Sequence, residues 1–486
     1  MRKFLTILII IIPFFCTAQK QGNIWYFGDS AGVSFNSGSP VTILGGKTGT
    51  DIPYNIDNQE GTSCVSDSAG NILFYTGGQT IWNRNNIPMP NGTGIMGGVS
   101  STQSSLIIPL PGSDSIFYLF TSDEFQSFPN SKGYRYTVVD MCLNKGIGDV
   151  VTSQKNILLL DSSTEKLAAC EDASGSGYWI VGHKMFSDEF NAWHLTSGGI
   201  TNTIVTHIGT IHGWNSSNST WNSYASQGQM KLNSTGTKLA LAIGNFDPAY
   251  LDLFDFNDNT GIISNYCHLV IDSALNKYIY GVEFSPDGSK VYVTIFNNSG
   301  TSQIFQYDIL AGVGNCDSIK ASCFNLFQSN NNLRFMGMQC APNNKIYVVS
   351  SVNQLGCINF PDSSKLAANF DSIVISPGNT WNYMLPSFIA GYKYHNGIIN
   401  CLTDEIVNVE KIGNIDIYPN PTINNFTIET PQFSTIEISN IEGQIIKTLT
   451  SVGTKTNFDV SSFLSGVYIV EVKTEKGIAM KKFIKE

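Results

Sequence analysis

The sequence predicts an all-β protein, a β-propeller of about seven blades followed by a small immunoglobulin-like β-sandwich. Three observations predict it. Of the 486 residues, 14% are charged and 12% aromatic, with 45 Gly; low charge beside many aromatics, Asn, Ser, Thr and Gly suits strands joined by turns. A polar turn followed by a burst of β-branched and aromatic residues recurs through residues 22–400. Residues 416–486 carry short alternating strands separated by turn residues.

Met1 to Ala18 reads as a secretory signal: Arg2 and Lys3 form the basic start, Phe4 to Phe15 the apolar stretch, and Cys16-Thr17-Ala18 the small-residue cleavage site. About twelve apolar residues are too few to span a bilayer, which takes about twenty. Phe14-Phe15 fits poorly with lipid attachment at Cys16. Removing Arg2 and Lys3 takes the formal charge from -10 to -12, and no later segment is apolar enough to cross a membrane.

Export permits disulfides among the nine remaining cysteines, and nine is odd, so at least one stays free or pairs outside the chain. Cys316 with Cys323, bracketing a short polar segment, and Cys340 with Cys357, flanking a predicted hairpin, are the candidate pairs.

The propeller rests on six copies of one pattern, with turns at Asp67-Ser68-Ala69-Gly70, Pro111-Gly112-Ser113-Asp114, Ala173-Ser174-Gly175-Ser176-Gly177, Asn233-Ser234-Thr235-Gly236, Ser285-Pro286-Asp287-Gly288 and Ala341-Pro342-Asn343-Asn344. Their spacing of roughly 44 to 61 residues is near or above the period of a four-stranded blade. Dividing about 380 residues by about 54 gives seven blades, with six and eight as alternatives. The seventh combines Pro386 to Tyr392 with the strand around Asn23 to Phe27, closing the ring by pairing the chain ends and removing exposed sheet edges. Trp25-Tyr26-Phe27-Gly28, Ile81-Trp82-Asn83-Arg84, Ser100 to Ser104, Tyr280-Gly281-Val282-Glu283-Phe284-Ser285-Pro286 and Leu385-Pro386-Ser387-Phe388 resemble a WD40-like or TolB-like propeller of secreted Bacteroidetes proteins. That resemblance implies a fold and an address, not an activity.

After a linker at 401–415, strands are expected at Ile415 to Tyr418, Asn425 to Glu429, Thr435 to Ile438, Gln444 to Lys447 and Gly466 to Val472. Tyr418-Pro419-Asn420-Pro421, Ile441-Glu442-Gly443-Gln444, Leu464-Ser465-Gly466-Val467-Tyr468 and Lys481-Lys482-Phe483-Ile484 resemble, in order, the type A C-terminal sorting domain of the Bacteroidetes type IX secretion system. The resemblance implies recognition by the outer-membrane translocon and delivery to the cell surface or release, with the domain usually cleaved. Tyr418, Pro419, Asn420, Pro421, Gly443, Gly466, Tyr468, Lys481 and Lys482 carry the sorting signal in this reading.

Nucleic acid is excluded as a partner by the negative charge and by an arginine set reduced, after export, to Arg84, Arg135 and Arg334. Asp67, Asp172 and Asp287 stand at variable distances from Gly70, Gly175 and Gly288, so they read as turn formers rather than sialidase-type boxes. Asp252, Asp255, Asp258 and Asn259 do not match a calcium loop and read as a solvated strand and turn. His207 and His212 stand five apart, an unsuitable spacing for one metal on a strand. No metal or cofactor is expected. The most suggestive segment is His212 to Tyr224: Trp214, Trp221 and Tyr224 among amides and hydroxyls suit a neutral glycan, the alternative being that the tryptophans pack between blades. The function expected is a surface-delivered binding or adhesion module. A propeller hydrolase acting on glycans and a scaffold without a ligand are the alternatives.

Overall fold

The computed structural model describes residues 19–401 and 415–486, apart from 29–30, 48–59, 125–130, 216–219, 222, 245–248, 273–276, 298–299, 330–332, 352–353, 377–382, 398, 400, 431–433, 442–443, 452 and 475–476. The expected signal segment, most of the linker and Gly443 therefore lie outside the described residues. The chain divides into two compact units, Met1–Cys401 and Leu402–Glu486.

In the first unit, among the described residues, seven antiparallel sheets of three to five strands follow one another along the chain. They span residues 24–43, 63–93, 105–160, 167–207, 230–272, 277–329 and 338–375. These are the blades of a propeller. All six recurring turns join the first strand of a blade to its second. The turn residues act through their side chains: Asp67 Oδ1 accepts the N–H groups of Ala69 and Asn71 at 2.9 and 2.8 Å. Asn233 Oδ1 does the same for Thr237 and Lys238 at 2.8 and 3.0 Å. Each apolar burst is a second strand, such as Tyr178–His183 or Ile346–Ser351, buried along nearly its whole length. Sandwiching between neighbouring blades covers both faces of these strands, which is why they read as continuous apolar runs rather than alternation.

The first strands form the inner ring, and bonds run from each to the next. Gly61 N–H donates to Ser101 O at 2.8 Å, Gln103 to Glu165 at 3.0 Å, Glu165 to Ser226 at 3.2 Å, Gln229 to Tyr280 at 2.8 Å, and Gly337 to Tyr383 at 2.9 Å. Between the sixth and seventh blades a hydroxyl bridges: Gly281 N–H donates to Thr294 Oγ1, which donates to Met336 O, both at 2.7 Å. A Cβ on Gly281 would stand 2.3 Å from that carbonyl, so the junction requires glycine. The ring closes where Ser387 N–H donates to Thr62 O at 2.8 Å. Tyr383–Ser387 thus fills the inner position that the three-stranded first blade lacks, and Trp25 packs against Phe388 with ring centroids 5.9 Å apart.

The cysteine pairing differs from the expectation. Cys316 is bonded to Cys267 and Cys142 to Cys401, while Cys323, Cys340 and Cys357 carry no disulfide. Cys316 and Cys323 stand at opposite ends of the helix Cys316–Ala321, a rise of about 10 Å at 1.5 Å per residue. Cys340 and Cys357 lie on strands separated by Ile346–Ser351, two strand spacings of roughly 4.8 Å each. Both gaps exceed disulfide reach.

In the second unit, Asp416–Tyr418, Asn425–Glu429 and Lys455–Asp459 form one sheet. Ser434–Asn440, Ile445–Ser451, Gly466–Thr474 and Gly477–Lys485 form the other. Tyr468, Val470 and Val472 alternate inward and join Phe426, Phe458 and Phe483 in a core of their own. The sorting-motif residues hold this fold together. Asn420 Nδ2 donates to Lys482 O at 3.0 Å and its Oδ1 accepts Ile484 N–H at 2.9 Å, clipping the Tyr418–Pro421 turn to the last strand. Lys481 Nζ reaches Ile415 O at 2.8 Å, and Tyr468 OH donates to Leu464 O at 2.8 Å.

Candidate functional site

The blade-to-blade connections deliver the start of every inner strand to one face of the ring, and polar residues gather there. Glu60, Thr102, Glu165, Lys166, Ser226 and Tyr280 are all buried. Thr102 donates to Glu165 Oε2 through its N–H at 3.0 Å and its hydroxyl at 2.8 Å. The Thr102 hydroxyl lies 3.3 Å from Tyr280 OH, which donates to Glu60. Lys166 Nζ donates to the carbonyls of Ser226 and Gln227, both at 2.6 Å. Burial, reinforced by the charge of Glu165, holds the Glu60 carboxyl well above the carboxylate range. Burial also pushes Lys166 down to about 7 despite Glu165 beside it.

Above this cluster opens a cavity of about 370 Å³ whose walls include Gln227, Tyr278, Tyr280, Phe296, Arg334 and Tyr383. Tyr278 and Phe296 are cross-strand partners and stack at 5.2 Å and 12°. Arg334 lies over Phe296, its guanidinium carbon 5.3 Å from the ring centroid. Farther along the axis two glutamines staple strands across the channel. Gln103 donates to Leu167 O and accepts from Met230 N–H, both at 2.8 Å, while Gln229 donates to Met338 O at 3.0 Å and accepts from its N–H at 2.9 Å. On the opposite face a second cavity of about 530 Å³ lies beneath Ser387–Lys393. Its buried ion pair, Lys231 with Glu283 at 3.1 Å, is fully partnered: Glu283 also accepts the N–H groups of Phe284 and Cys340, both at 3.0 Å.

The three arginines of the propeller do not converge. Arg84 donates to Gly146 O, Arg135 to Lys132 O and Asn156 O, both at 2.8 Å, and Arg334 alone of the three lines the cavity. The backbone of the suggestive loop forms a two-stranded ribbon in which Trp214 pairs with Trp221. The side chains of Trp214, Trp221 and Tyr224 lie outside what is described. The ribbon belongs to the connection between the fourth and fifth blades, on the same face as the cavity. Asp252, expected to be solvated, is instead buried, because its cross-strand partner His268 donates or accepts at 2.9 Å and Tyr266 OH donates at 3.2 Å. Among the described residues no group of three His, Cys, Asp or Glu is placed to hold a metal ion.

Glu60 and Glu165 escaped the sequence reading because each stands just before an inner strand rather than in a recognisable motif, and Tyr280 was read only as part of a propeller motif. Placing the blades in register and asking what precedes each first strand would have found them. His183 escaped too. It stacks on His212 at 3.7 Å, both are buried, and neither ring nitrogen of His183 has a hydrogen-bond partner. His207, by contrast, pairs with Asp188 at 2.9 Å.

Burial, with the charge of Lys166 nearby, pushes His183 down to about 3. Burial and the neighbouring His183 hold His212 well below its ordinary value. Unfolded histidines take up protons near pH 6.5, which these two resist while folded. Their stability contribution is therefore present above pH 6.5 and is lost on acidification below it, for His183 down toward pH 3 at roughly 1.4 kcal/mol per pH unit. Glu60 acts oppositely down to about pH 4.5, where an unfolded glutamate also protonates, and Lys166 contributes slope only above pH 7. Two histidines outweigh one glutamate, so the melting temperature is expected to fall from pH 6.5 to 4. His212→Phe should flatten that slope, and an unchanged slope in the variant would contradict the assignment.

Residues 416–486 match the family model described as the secretion system C-terminal sorting domain. No curated protein matches the chain. Among solved structures it is similar to PorZ of Porphyromonas gingivalis, a bacterial surface component of the type-IX secretion system, at 13% identity and a TM-score of 0.35. That match covers 96% of this chain and 59% of PorZ, so the chain spans under two thirds of that protein's length. It is also similar to a streptogramin B lyase, at 11% identity and a TM-score of 0.37 over 76% of this chain and 88% of the lyase. The β-propeller domain of Myceliophthora thermophila Cps50 (Swd1) gives 10% identity and a TM-score of 0.31 over 78% and 96% of the two chains. These likenesses carry no argument about activity. The seven sheets and the matched tail do identify the chain, which is a β-propeller protein bearing a type IX secretion C-terminal sorting domain at residues 416–486.

Proposed function

We propose that this protein is a binding module delivered to the cell surface, and that it holds a glycan on the ring face where the inner strands begin. The observation that carries the reading is the collection on that one face of the Tyr278–Phe296 stack, Tyr280, Tyr383 and Gln227, together with the ribbon that pairs Trp214 with Trp221. Flat apolar faces beside amides and hydroxyls suit sugar rings, and each stacked aromatic contributes on the order of 1 kcal/mol. Weak single-site affinity is offset when many copies sit on one cell. In this reading a signal peptide at residues 1–18 starts export, the secretion machinery recognises residues 416–486, and Trp214, Trp221 and Tyr224 contact the glycan.

Replacing Trp214 and Trp221 together by Ala should abolish binding on a glycan array while the melting temperature stays within a few degrees. Loss of roughly 3 kcal/mol or more per tryptophan would instead mark them as buried packing residues. One observation favours a hydrolytic reading as well: the Glu60 and Glu165 carboxyls are linked through Thr102 and Tyr280 beside the cavity. Release of shorter sugars from a bound glycan, lost in Glu60→Gln, would support hydrolysis over binding alone.

A further inference from the structure

We infer that the channel-mouth cavity recognises a carboxylate on a sugar ring, so that the glycan taken at this face is an acidic one, with Arg334 as the carboxylate-binding residue and the Tyr278–Phe296 stack as the surface for the ring. This rests on the glycan-binding reading and narrows its ligand class. The three arginines of the propeller are used differently. Arg84 and Arg135 spend their donors on backbone carbonyls of their own surroundings. Arg334 is anchored through its backbone, whose N–H donates to Ser350 O at 3.1 Å, and its guanidinium has an aromatic face, Phe296 at 5.3 Å, in place of a carboxylate. No ion pair joins it to any described residue.

A guanidinium is a planar fork of N–H donors, the geometry that matches a carboxylate with two parallel hydrogen bonds. The ring it lies over is itself stacked on Tyr278 at 12°, so the guanidinium stands beside an aromatic pair of the kind that suits a sugar ring. The cavity of about 370 Å³ falls within the range of small-ligand sites. A chain of formal charge -10 repels anions over most of its surface, so an uncommitted guanidinium at the channel mouth provides a local exception and confers selectivity through placement rather than net charge.

The test uses the full-length protein in calorimetric titration with sialyllactose and oligogalacturonate, against lactose and a neutral galactan. The acidic members should bind at least tenfold more tightly than their neutral counterparts. Arg334→Gln should erase that preference, and Arg334→Lys, which keeps the charge without the fork, should retain part of it. Both variants should melt within a few degrees of the parent, since the side chain accounts for no hydrogen bond to a described residue. Neutral sugars bound as tightly as acidic ones, or a preference untouched by Arg334→Gln, would overturn this inference while the glycan-binding reading stands. A preference for sulfated lactose over the carboxylated sugars would overturn the carboxylate assignment. Failure of every sugar to bind would remove both.

Discussion

A chain ending before residue 416 is expected to fold and to remain in the periplasm. The two units have separate apolar cores: that of the tail is made from residues between Ile415 and Phe483, and the ring's large core has no member beyond residue 399. The ring's core is thus built without residues of the tail, and the melting transition of the ring should be unchanged. What is lost is the address. The sorting-motif residues are bound into the tail's own architecture, Asn420 to the last strand and Lys481 to Ile415 just before the first, so a recogniser that reads them meets them in a folded tail. Asn420→Ala, which leaves Ile484 N–H without its acceptor, should reduce surface display without touching the ring. Surface labelling of the truncated chain at parental level would refute the role of residues 416–486. Removal of the tail on delivery would show in mass spectrometry of the surface form as loss of roughly the last 70 residues, those that match the sorting domain.

Much of this architecture was legible because propeller blades repeat their local chemistry. Asp67 and Asn233 cap turns through side-chain acceptors, and the strands that follow are apolar along their length because blades cover both faces. That one blade is shared by the chain ends followed from the same count, since six turns leave one over, but the inner position is taken by Tyr383–Ser387, while Ala390–Tyr392 of the expected Pro386 to Tyr392 segment forms a 3-10 turn beyond it. Disulfides were not legible. Cys142 and Cys401 are 259 residues apart, and sequence proximity favoured pairs that a helix and an intervening strand keep separate. The strand Lys455–Asp459 went unread as well, its apolar content being little more than Phe458. The mouth cluster was the least visible part. Glu60 and Tyr280 are 220 residues apart, and the shared feature of their positions, the head of an inner strand, becomes chemical only when the ring brings those heads together.

That convergence gives the two ring faces different characters. The face where inner strands begin presents the carboxyl pair, the aromatic shelf and an uncommitted guanidinium, whereas the opposite face is crossed by the chain as it leaves the closing position. Along this crossing Tyr392 OH donates to Cys340 O at 2.6 Å, His395 meets Glu171, and Gly397 N–H donates to Asp114 Oδ1 at 2.7 Å. The crossing ends at Cys401, bonded to Cys142 in the third blade.

Removing the Cys142–Cys401 bond is accordingly expected to weaken the ring where it closes. In the chain-entropy model a loop of this length corresponds to on the order of 5 kcal/mol of denatured-state entropy, against on the order of 4 kcal/mol for Cys267–Cys316, whose residues are 49 apart. The magnitudes are close, so location separates the two bonds. Cys267–Cys316 links the fifth and sixth blades, which the inner ring already joins through Gln229 N–H and Tyr280 O. Cys142–Cys401 secures the segment that supplies the first blade's inner position, where the backbone bond of 2.8 Å from Ser387 to Thr62 marks the seam. Replacing both Cys142 and Cys401 by Ser should lower the denaturant midpoint and, in native-state hydrogen exchange, speed exchange in residues 24–43 far more than in residues 230–329. The Cys267 and Cys316 double variant should lower the midpoint comparably without that local signature. Equal protection of residues 24–43 in both variants would show that the seam is held by the buried packing of Trp25, Phe388 and Met384 alone, and that the disulfide acts on the unfolded chain rather than on the closure.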